Sequence, residues 1–547
     1  MAQNTSKNTG KSTTRTTRKR TTARKTTSRR ASGPTVLRSQ NPRTGELLKE
    51  IPSTPVAEVP EIVTQARKVQ PEWAAIPPKG RAHLIREVRY RFYELMDEIV
   101  ETVALETGKP RAEALAHEVL PSSVMLAYLE RAADRALRPQ KVGRLLTPLT
   151  GTSSRIEWRP YGVVGAITPW NYPITNCFLG FATALFAGNA VVVKPSEVTP
   201  QCGELIRQLL EPLPSGVATV IQGGGDVGAA LVDAPCDKIS FIGSPATGRK
   251  ICEAAAKHLT PVVMELGGND AAIVTDDVDV DYASAGVLWS SFFNAGQTCC
   301  SLERVYVFDD VADEFQDRLL DKLARVKQGD EVGSLTFKPQ LDKVLHQVED
   351  ATKKGATILA GGSDAGIKNS KGSLWHAPTI ISNLNDDMEV LHEESFGPVL
   401  TLVRVRDEEE AIRRANEDSV NLTASVWSSR RGRSDAIAAR LRAGTVTVNF
   451  HGETASTAWA PWGGVGESGY GRLNGELGLR EFSVPVHVAH NIGAPGMKRI
   501  WWYPYDEAST ATLRGLSEVV SAPTWAQKLE GLKKVTNNIG PSLRSKL

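Results

Sequence analysis

The sequence is poor in cysteine, and its cysteines are not spaced as a disulfide scaffold or a metal site would require. Only six occur among 547 residues, none forms a CxxC pair, and the nine histidines form no tract. These absences argue against zinc ribbons and disulfide frameworks, and they favour a reducing compartment. We therefore predict no metal site and a cytoplasmic protein, with peripheral membrane association as a second possibility.

Long apolar runs are also absent. The stretch nearest to membrane-spanning length is CFLGFATALFAGNAVVV (177–193), and Gly188–Asn189 interrupts it. A helix that crosses a bilayer needs about 20 predominantly apolar residues. The stretch is therefore predicted to form a buried helix, a turn and a buried parallel strand.

Acidic residues are missing from the first 31 positions, which hold ten Lys or Arg and carry a charge of +10. Since the whole chain carries +3, the remainder carries −7 and is mildly acidic. Residues 1–34 have almost nothing apolar to bury, so we predict a disordered basic tail. Its plainest role is to keep the protein soluble. Weak contact of residues 1–31 with nucleic acid or an anionic membrane is the alternative.

The chain as a whole has the composition of an ordinary globular protein, with 41% apolar and 23% charged residues. Helical spacing of apolar residues dominates from 57 to 140. From 156 onward short apolar strands alternate with helices, first to 258 and again from 261. Such alternation predicts βαβ units, and hence an α/β protein with two doubly wound parallel-sheet domains.

Two motifs follow predicted strands and suit a dinucleotide. In FIGSPATGRK, Ser244 and Pro245 cap and start a helix, whose N-terminus could bind an anion such as pyrophosphate. In VVVKPSE, Glu197 beside Lys194 could bind a ribose diol and would repel a 2′-phosphate. An ordinary capped helix and a surface ion pair remain the alternatives. The turn QGGGDVG, which contains Gly225, matches a dinucleotide fingerprint only formally, because it has no clear downstream acid.

A third motif, NAGQTCCSLER, places Cys299 and Cys300 side by side. A disulfide between neighbours would close a strained small ring, because adjacent side chains tend to diverge. From the residues alone, the pair could be two small core residues, a metal corner, or a nucleophile with a bystander.

Seven motifs in the expected order together resemble the aldehyde dehydrogenase superfamily, specifically its NAD(P)-dependent, non-acylating members. The resemblance covers about residues 40–490, and the motifs that carry it are TPWNYP (168–173), VVVKPSE (191–197), FIGS (241–244), MELGGND (264–270), FFNAGQTCCSLERVYV (292–307), HEESFGPV (392–399) and PWGGVGESGYGR (461–472). It implies NAD-dependent oxidation of an aldehyde to the carboxylic acid through a cysteine thiohemiacetal and thioester, with NADP as a possible cofactor.

The resemblance also implies roles for individual residues. Cys299 corresponds to the nucleophile, Glu265 to the general base and Asn171 to the amide that stabilises the oxyanion, whereas Cys300 corresponds to a variable neighbour. The residues implied in cofactor binding are Ile167, Thr168, Trp170, Lys194, Glu197, Gly225, Ser244, Leu266, Glu394 and Phe396.

The family's organisation implies a division of the chain into segments. These are a cofactor-binding domain (35–150 and 161–264), oligomerisation strands (151–160 and 475–493), a catalytic domain (265–474) and a C-terminal extension (494–547). The strand FSVPVHVAH is expected to pair with another subunit and to give a homodimer or homotetramer. The aromatic and basic residues of the extension suit a subunit interface, which we favour, or a membrane-interface anchor.

The expected substrate is a small-molecule aldehyde of apolar aliphatic or aromatic character. The two segments that the resemblance assigns to the substrate mouth contain no Lys or Arg, and Phe292, Phe293, Trp459 and Trp462 suggest an apolar tunnel. A substrate with a carboxylate would need a cation there, so a succinate-semialdehyde-type dehydrogenase is the alternative within the family. The alternative of another class is a non-catalytic binding protein, recruited to nucleic acid or a membrane.

Overall fold

The computed structural model describes residues 35–143, 152–362, 372–492 and 498–546. The predicted disordered tail, residues 1–34, lies outside the described residues. The described part is an α/β protein with two large, mostly parallel sheets, as the alternation of strands and helices predicted.

Strands and helices alternate through most of the described chain. In chain order the strands are β1 (Val36–Gln40), β2 (Leu47–Pro52), β3 (Gln140–Val142), β4 (Thr152–Pro160), β5 (Val163–Ile167), β6 (Ala190–Lys194), β7 (Ala218–Val220), β8 (Lys238–Gly243), β9 (Val262–Leu266), β10 (Asp270–Val274), β11 (Leu302–Phe308), β12 (Thr357–Ala360), β13 (Thr379–Ser382), β14 (Val399–Val405), β15 (Val420–Asn421), β16 (Thr423–Trp427), β17 (Thr445–Val448), β18 (Val465–Gly466), β19 (Gly469–Tyr470) and β20 (Ser483–Asn491). The helices are α1 (Val59–Ala75), α2 (Pro78–Glu94), α3 (Met96–Thr107), α4 (Arg111–Ala114), α5 (Leu120–Ala136), α6 (Thr175–Ala187), α7 (Pro200–Leu210), α8 (Gly225–Asp233), α9 (Pro245–Ala256), α10 (Val280–Phe292), α11 (Asp309–Leu323), α12 (Lys338–Lys353), α13 (Glu408–Asn416), α14 (Arg431–Ala438), α15 (Gly475–Glu481), α16 (Glu507–Ser521) and α17 (Trp525–Arg544).

The first sheet has six strands in the order β19-β9-β8-β5-β6-β7. Strands β5 to β9 are parallel, and β19 runs antiparallel to β9. Every residue of β5 and β6 is buried, and such continuous apolar runs are typical of parallel strands covered on both faces. The strand order reverses between β5 and β8, and loops that diverge from such a point leave a crevice at the carboxyl ends of the strands.

The second sheet has seven strands in the order β12-β13-β14-β11-β10-β16-β17. Six of them are parallel, and β12 is antiparallel to its neighbour β13. Its core includes the side chains of β10, β11 and α10. The two cysteines of the third motif lie directly before β11.

The sheets differ from the predicted segments in two places. Strand β9 runs through the predicted boundary between 264 and 265, and β19 from the predicted catalytic segment completes the first sheet. The predicted oligomerisation segment 475–493 begins with helix α15, and only its later part forms strand β20. The place of β19 in the first sheet depends on the hydrogen bonding of Gly469–Tyr470 to β9, which no local pattern reveals.

A third sheet contains three antiparallel strands in the order β20-β4-β3. Strand β20 pairs with β4 over its full length of nine residues. Its other edge pairs with no described strand.

The helical region before the first sheet contains one irregularity. Between α4 and α5 the residues Leu115–Val119 form a π-helical turn, a feature that is frequent at functional sites. Among the described helices of the whole chain, none combines the length and the apolar character needed to cross a membrane.

Candidate active site

A cleft of about 690 Å³ opens at the carboxyl ends of β5, β6 and β8. Twelve of the thirteen predicted site residues line it. Leu266 is the exception, because it is 7% exposed and packs against Gly248 of α9. The predicted residues that the cleft brings together are Ile167, Thr168, Trp170, Asn171, Lys194, Glu197, Gly225, Ser244, Glu265, Cys299, Glu394 and Phe396.

The loop before Cys299 has an unusual backbone conformation. Asn294, Ala295 and Gly296 have positive φ angles of 53°, 54° and 71°. This region costs a non-glycine residue about 1–2 kcal/mol, so neighbouring contacts must hold the loop. A carboxylate oxygen of Glu113 accepts the Asn294 N–H at 3.0 Å, and the Gln297 side chain donates to the Asn294 carbonyl at 3.0 Å.

The two cysteines of this loop have different surroundings. Cys300 is 2% exposed, and its thiol points to the carbonyl of Gly452 at 3.5 Å. Cys299 is half-buried and lines the cleft. The adjoining Cys300 thiol, burial and the nearby Glu265 carboxyl raise the pKa of Cys299 well above its usual value. The Cys299 thiol is therefore protonated at neutral pH and needs a base to become a strong nucleophile.

The carboxyl group of Glu265 lies close to the Cys299 thiol and is a candidate for its base. It is 2% exposed in β9, and its Oε1 has no hydrogen-bond partner among the described residues. Burial raises the pKa of Glu265 to about 8, although the nearby Trp462 indole and Cys299 thiol favour the ionised form. A carboxyl group with a pKa near the working pH is suited to general base catalysis.

Asn171 is oriented from several directions. Its side chain donates to the Gln297 carbonyl at 3.0 Å, its Oδ1 accepts from Asn176 at 3.0 Å, and its backbone carbonyl accepts from Lys109 at 2.8 Å. An amide has two N–H donors, and only one of them has an acceptor within the described chain. The backbone N–H of Cys299 likewise donates to no described residue. Two such donors at one cleft can stabilise an oxyanion.

The polar groups at the strand ends suit a nucleotide. Ser244 caps α9, with its Oγ accepting the Thr247 N–H at 3.4 Å, so the helix N-terminus borders the cleft. Buried Lys194 donates to exposed Glu197 at 3.0 Å.

Glu394 lines the same cleft. One of its carboxylate oxygens accepts the Gly268 N–H at 3.2 Å. Burial and the neighbouring Glu303 carboxyl raise the pKa of Glu394 well above its usual value, which the Lys343 charge partly offsets.

The cleft fits a nicotinamide dinucleotide in size and donor chemistry. Its volume lies within the range of about 300–1,000 Å³ that is usual for small-molecule sites. The carboxyl groups of Glu197 and Glu394 could accept hydrogen bonds from ribose hydroxyls, and the N-terminus of α9 suits a pyrophosphate. A Cβ at Gly225 would meet no atom within 4 Å, so the wall of the cleft is open there.

Sequence reasoning missed several residues of the cleft wall. Lys250 lies in α9, and Phe337, Gln340 and Lys343 lie at the start of α12 or just before it. Lys250 follows Ser244 by six positions within a motif that was already recognised. The α12 residues belong to no motif, and only the tertiary fold brings them to the cleft.

A second neighbourhood of the nucleophile loop is aromatic. The Tyr172 hydroxyl and the Thr298 hydroxyl form a hydrogen bond of 2.6 Å. The His117 ring centroid lies 6.2 Å from that of Tyr172, 5.9 Å from that of Trp289 and 5.6 Å from that of Phe293. These four rings, His117, Tyr172, Trp289 and Phe293, are the aromatic cluster. No sequence motif marked His117 or Trp289.

The nearest basic groups add no free positive charge to the aromatic cluster. Burial lowers the pKa of His117 to about 4, with a smaller effect from the charge of Lys109, so the imidazole is neutral at neutral pH. Lys109 is fully buried, forms an ion pair of 3.0 Å with Glu118, and lies 4.1 Å from the ring centroid of Tyr172. Its charge is therefore already paired.

Of the four aromatic residues predicted to line a substrate tunnel, only Phe293 belongs to this cluster. Phe292 packs in the core of the second sheet, and Trp462 is buried beside Glu265. Trp459 is 64% exposed and borders a surface groove together with Tyr128.

A comparison with known protein families covers most of the chain. The model of the aldehyde dehydrogenase family matches residues 29–488. The chain belongs to the aldehyde dehydrogenase family. It is therefore an oxidoreductase that acts on aldehydes and uses a nicotinamide dinucleotide.

Individual aldehyde dehydrogenase relatives differ in their named substrates and cofactors. The chain is 35% identical to a 4,4'-diapolycopene aldehyde oxidase from Methylomonas sp., over 89% of this chain and 91% of that protein. It is 38% identical to a Mycobacterium ulcerans (strain Agy99) protein provisionally named succinate-semialdehyde dehydrogenase [NADP(+)] 2, over 82% and 87% of the two chains. PnpE from Pseudomonas sp. WBC-3, solved with nicotinamide adenine dinucleotide, superimposes with a TM-score of 0.80 at 31% identity, over 84% and 95% of the two chains.

Proposed function

We propose that the protein oxidises apolar aliphatic or aromatic aldehydes to carboxylic acids, with Cys299 as nucleophile, Asn171 as oxyanion donor and Glu265 as general base. The observation that carries the proposal is that these three side chains border one cleft, whose remaining wall suits a dinucleotide. The reaction type follows from the family, whereas the residue roles and the substrate class are part of the proposal.

The first chemical step joins sulfur to carbon. The Glu265 carboxylate takes the thiol proton of Cys299, and the thiolate adds to the carbonyl carbon, so that the carbonyl electron pair moves to oxygen. The free N–H groups of Asn171 and Cys299 stabilise that oxyanion, and one such donor is typically worth about 3 kcal/mol of barrier. A bound nicotinamide supplies the acceptor for the hydride that leaves the same carbon.

The second step releases the acid. Once Glu265 has passed the thiol proton to solvent, its carboxylate takes a proton from water as the water oxygen adds to the thioester carbon, and the bond from that carbon to the Cys299 sulfur breaks. The departing Cys299 thiolate takes that proton back from Glu265, which restores the starting thiol and carboxylate. Burial and a partner-free Oε1 support Glu265 in this role, because a desolvated carboxyl group is a stronger base than an exposed one.

The aromatic cluster supports an apolar substrate. It connects to the nucleophile loop through the hydrogen bond between Tyr172 and Thr298, and its histidine is neutral. Lys109, the buried cation beside it, is paired with Glu118. A substrate carboxylate placed here would lose its hydration without gaining a cation, which is costly.

A semialdehyde acid is the second candidate, and one observation favours it. Arg131 borders the surface groove beside Trp459 and forms no ion pair within the described chain. It could bind a carboxylate there. The relative named succinate-semialdehyde dehydrogenase adds support to this candidate.

We further propose a preference for NAD over NADP. The Glu197 carboxylate at the end of β6 would bind the ribose diol and repel a 2′-phosphate. Lys250 on the same cleft is the residue that would favour the phosphate, and the name of the mycobacterial relative includes NADP.

Assembly and location are also proposals. The unpaired edge of β20 suits pairing with the same strand of a second subunit, in a homodimer or homotetramer. A cytoplasmic location, and weak contact of residues 1–31 with nucleic acid or an anionic membrane, stay predictions.

A thiol swap tests the mechanism. Cys299→Ser should abolish NADH formation with hexanal, benzaldehyde and succinic semialdehyde, whereas Cys300→Ser should keep most of it. The pair is matched, because both variants exchange sulfur for oxygen in adjacent residues. Equal activity losses in the two variants, or an active Cys299→Ser protein, would contradict the proposal. Within the same panel, a higher kcat/KM for succinic semialdehyde than for hexanal would favour the second candidate.

A further inference from the structure

The C-terminal residues 498–546, which we call the C-terminal hairpin, lie beyond the family match that ends at 488. The hairpin contains α16 and α17, which cross closely at Gly515 and Gly531. A Cβ at Gly515 would lie 2.5 Å from the Gly531 carbonyl oxygen, and a Cβ at Gly531 would lie 2.8 Å from the Gly515 carbonyl oxygen. The two helices therefore pack mainly on each other, and each keeps a face away from the crossing.

The free face of α17 is apolar. Helical spacing aligns Trp525, Leu529, Leu532 and Ile539, and they are 81%, 55%, 49% and 39% exposed. We call these four residues the apolar stripe. It extends over roughly 20 Å of helix. Thr536 lies on the same face between Leu532 and Ile539. Exposed apolar side chains grouped on one helix face in this way mark a site of interaction.

Exposed aromatic residues stand at the other end of the hairpin. Trp501, Trp502, Tyr503 and Tyr505 are 43% to 65% exposed. This segment contacts the residues just after α17, because the Nζ of Lys546 donates to the Pro504 carbonyl at 2.7 Å. Trp and Tyr have an apolar ring and a polar group, and they concentrate at the boundary between water and lipid.

The charges of the hairpin decide which partner fits. It holds eight Lys or Arg and four Asp or Glu, so it carries +4 in an otherwise mildly acidic fold. On the helical wheel of α17, Lys528 lies on one side of the apolar stripe and Lys533 and Arg544 lie on the other. Basic side chains that flank an apolar face are typical of helices that lie in the interface of an anionic membrane. A second copy of the same face would instead bring like charges together.

We propose that the C-terminal hairpin docks on the surface of a lipid bilayer with anionic headgroups, with the apolar stripe of α17 inserted among the headgroups. The hairpin lies on the membrane rather than across it, since no described helix is long and apolar enough to span one. Apolar burial and charge attraction then act together, the combination that a stable peripheral contact needs. The proposal goes beyond the dehydrogenase function and does not depend on it.

Vesicle binding by the full chain tests the proposal. The probes are phosphatidylcholine vesicles with and without 30% phosphatidylglycerol, sedimented with the protein at low and high salt. We expect the triple variant Trp525→Ser, Leu529→Ser, Leu532→Ser to bind the anionic vesicles at least tenfold more weakly. The matched control is Tyr93→Ser, Leu120→Ser, Leu47→Ser, three residues 79%, 59% and 49% exposed on the rest of the protein, and it should bind like the unmodified chain.

Two further variants separate the contributions. Lys528→Gln with Lys533→Gln should weaken binding to anionic vesicles several-fold and leave binding to neutral ones unchanged. Brominated lipids should quench tryptophan fluorescence of the unmodified protein, and less so in Trp525→Phe, a mild variant that keeps the proposal testable if the triple variant misfolds.

Three results would overturn the membrane proposal. If the stripe variant binds vesicles as well as the unmodified chain, the basic tail is responsible and the proposal is wrong. It is also wrong if no vesicle binding occurs. If the stripe variant instead lowers the subunit number in light scattering without lipid, a second copy covers the stripe and the membrane proposal is overturned.

Discussion

The cleft wall on the cofactor side of Cys299 and the aromatic cluster are built in opposite ways. The cofactor side carries charged groups at the ends of neighbouring strands, such as Lys194 paired with Glu197. The aromatic cluster takes rings from a π-helical turn, a loop and helix α10, and its one histidine is neutral. The nucleophile loop therefore adjoins a polar surface at the cleft and, through the hydrogen bond between Tyr172 and Thr298, an apolar one.

This contrast separates the features that any dinucleotide-binding site needs from those that depend on the aldehyde. A dinucleotide offers the same phosphates and riboses to every enzyme that binds it, so strand ends and a capped helix N-terminus suffice. An apolar aldehyde offers only its carbonyl group and its shape, so its recognition depends on packed rings whose positions the whole fold sets. Variants should therefore affect the two surfaces independently.

Among variants that keep the nucleophile, Glu265→Gln should give the largest effect, because the proposed base acts on the sulfur that both surfaces share. The amide cannot take a proton, so we expect kcat to fall by roughly 10³-fold. Stopped-flow absorbance should show that NADH formation in the first turnover is slowed as well, because the Cys299 thiol loses its proton to Glu265 in the first step. A steady rate equal to that of the unmodified enzyme would exclude the role.

The pH profile sharpens the same prediction. The pKa of Glu265 is raised to about 8 by burial, and only its ionised form, which predominates above that pH, can act as a base. The initial rate at saturating substrate should therefore rise from pH 6 through about 8, and Glu265→Gln should lack this rise. A flat profile of the unmodified enzyme across this range would contradict the assignment.

Asn171→Ala should follow in magnitude. It removes one oxyanion donor and should lower kcat by roughly 10²-fold to 10³-fold, with little change in the KM for either substrate. Asn176→Ala is the matched control, because the Asn176 amide donates to the Asn171 Oδ1 at 3.0 Å and so orients the Asn171 amide. The fall in kcat for Asn176→Ala should be clearly smaller than that for Asn171→Ala. Equal falls would mean that Asn171 maintains the shape of the cleft and does not donate to the oxyanion.

The same contrast explains how much of the fold could be predicted from the sequence. Apolar runs such as β5 and β6 are buried on both faces, so composition alone indicates parallel strands. The pairing of β19 with β9 was not predictable, because β19 contains only Gly469 and Tyr470 and its partner lies about 200 positions earlier. Long-range pairing of so short a strand leaves no periodic pattern.

The candidate site divides in the same way. Cys299, Glu265 and Lys194 stand in contiguous motifs, and the sequence predicted their common location in the cleft. The substrate side was predicted less well. Helix α10 ends at Phe292, and the chain turns there, so Phe292 enters the core while its neighbour Phe293 joins the aromatic cluster. The direction of a side chain at a helix end depends on that turn.

Glu197→Gln tests the cofactor side by itself. Losing a charged acceptor for the ribose diol should raise the KM for NAD by about tenfold. The KM for NADP should fall or stay constant, because the repulsion of a 2′-phosphate disappears, and the KM for hexanal should not change. An unmodified enzyme that already prefers NADP would reverse the assignment and point to Lys250 instead.

Trp289→Ala tests the aromatic side by itself and should give the smallest effect. The Trp289 ring stacks on Phe293 with centroids 4.6 Å apart, yet it is 38% exposed, so the variant should fold. Losing part of its apolar surface should cost about 1 kcal/mol of binding, or about fivefold in kcat/KM for hexanal, with little change for acetaldehyde or for the KM of NAD. Trp459→Ala is the matched control at the separate surface groove. If that variant shows the loss and Trp289→Ala does not, the substrate reaches Cys299 along the groove that contains Arg131, and the contrast between a charged and an apolar side no longer holds.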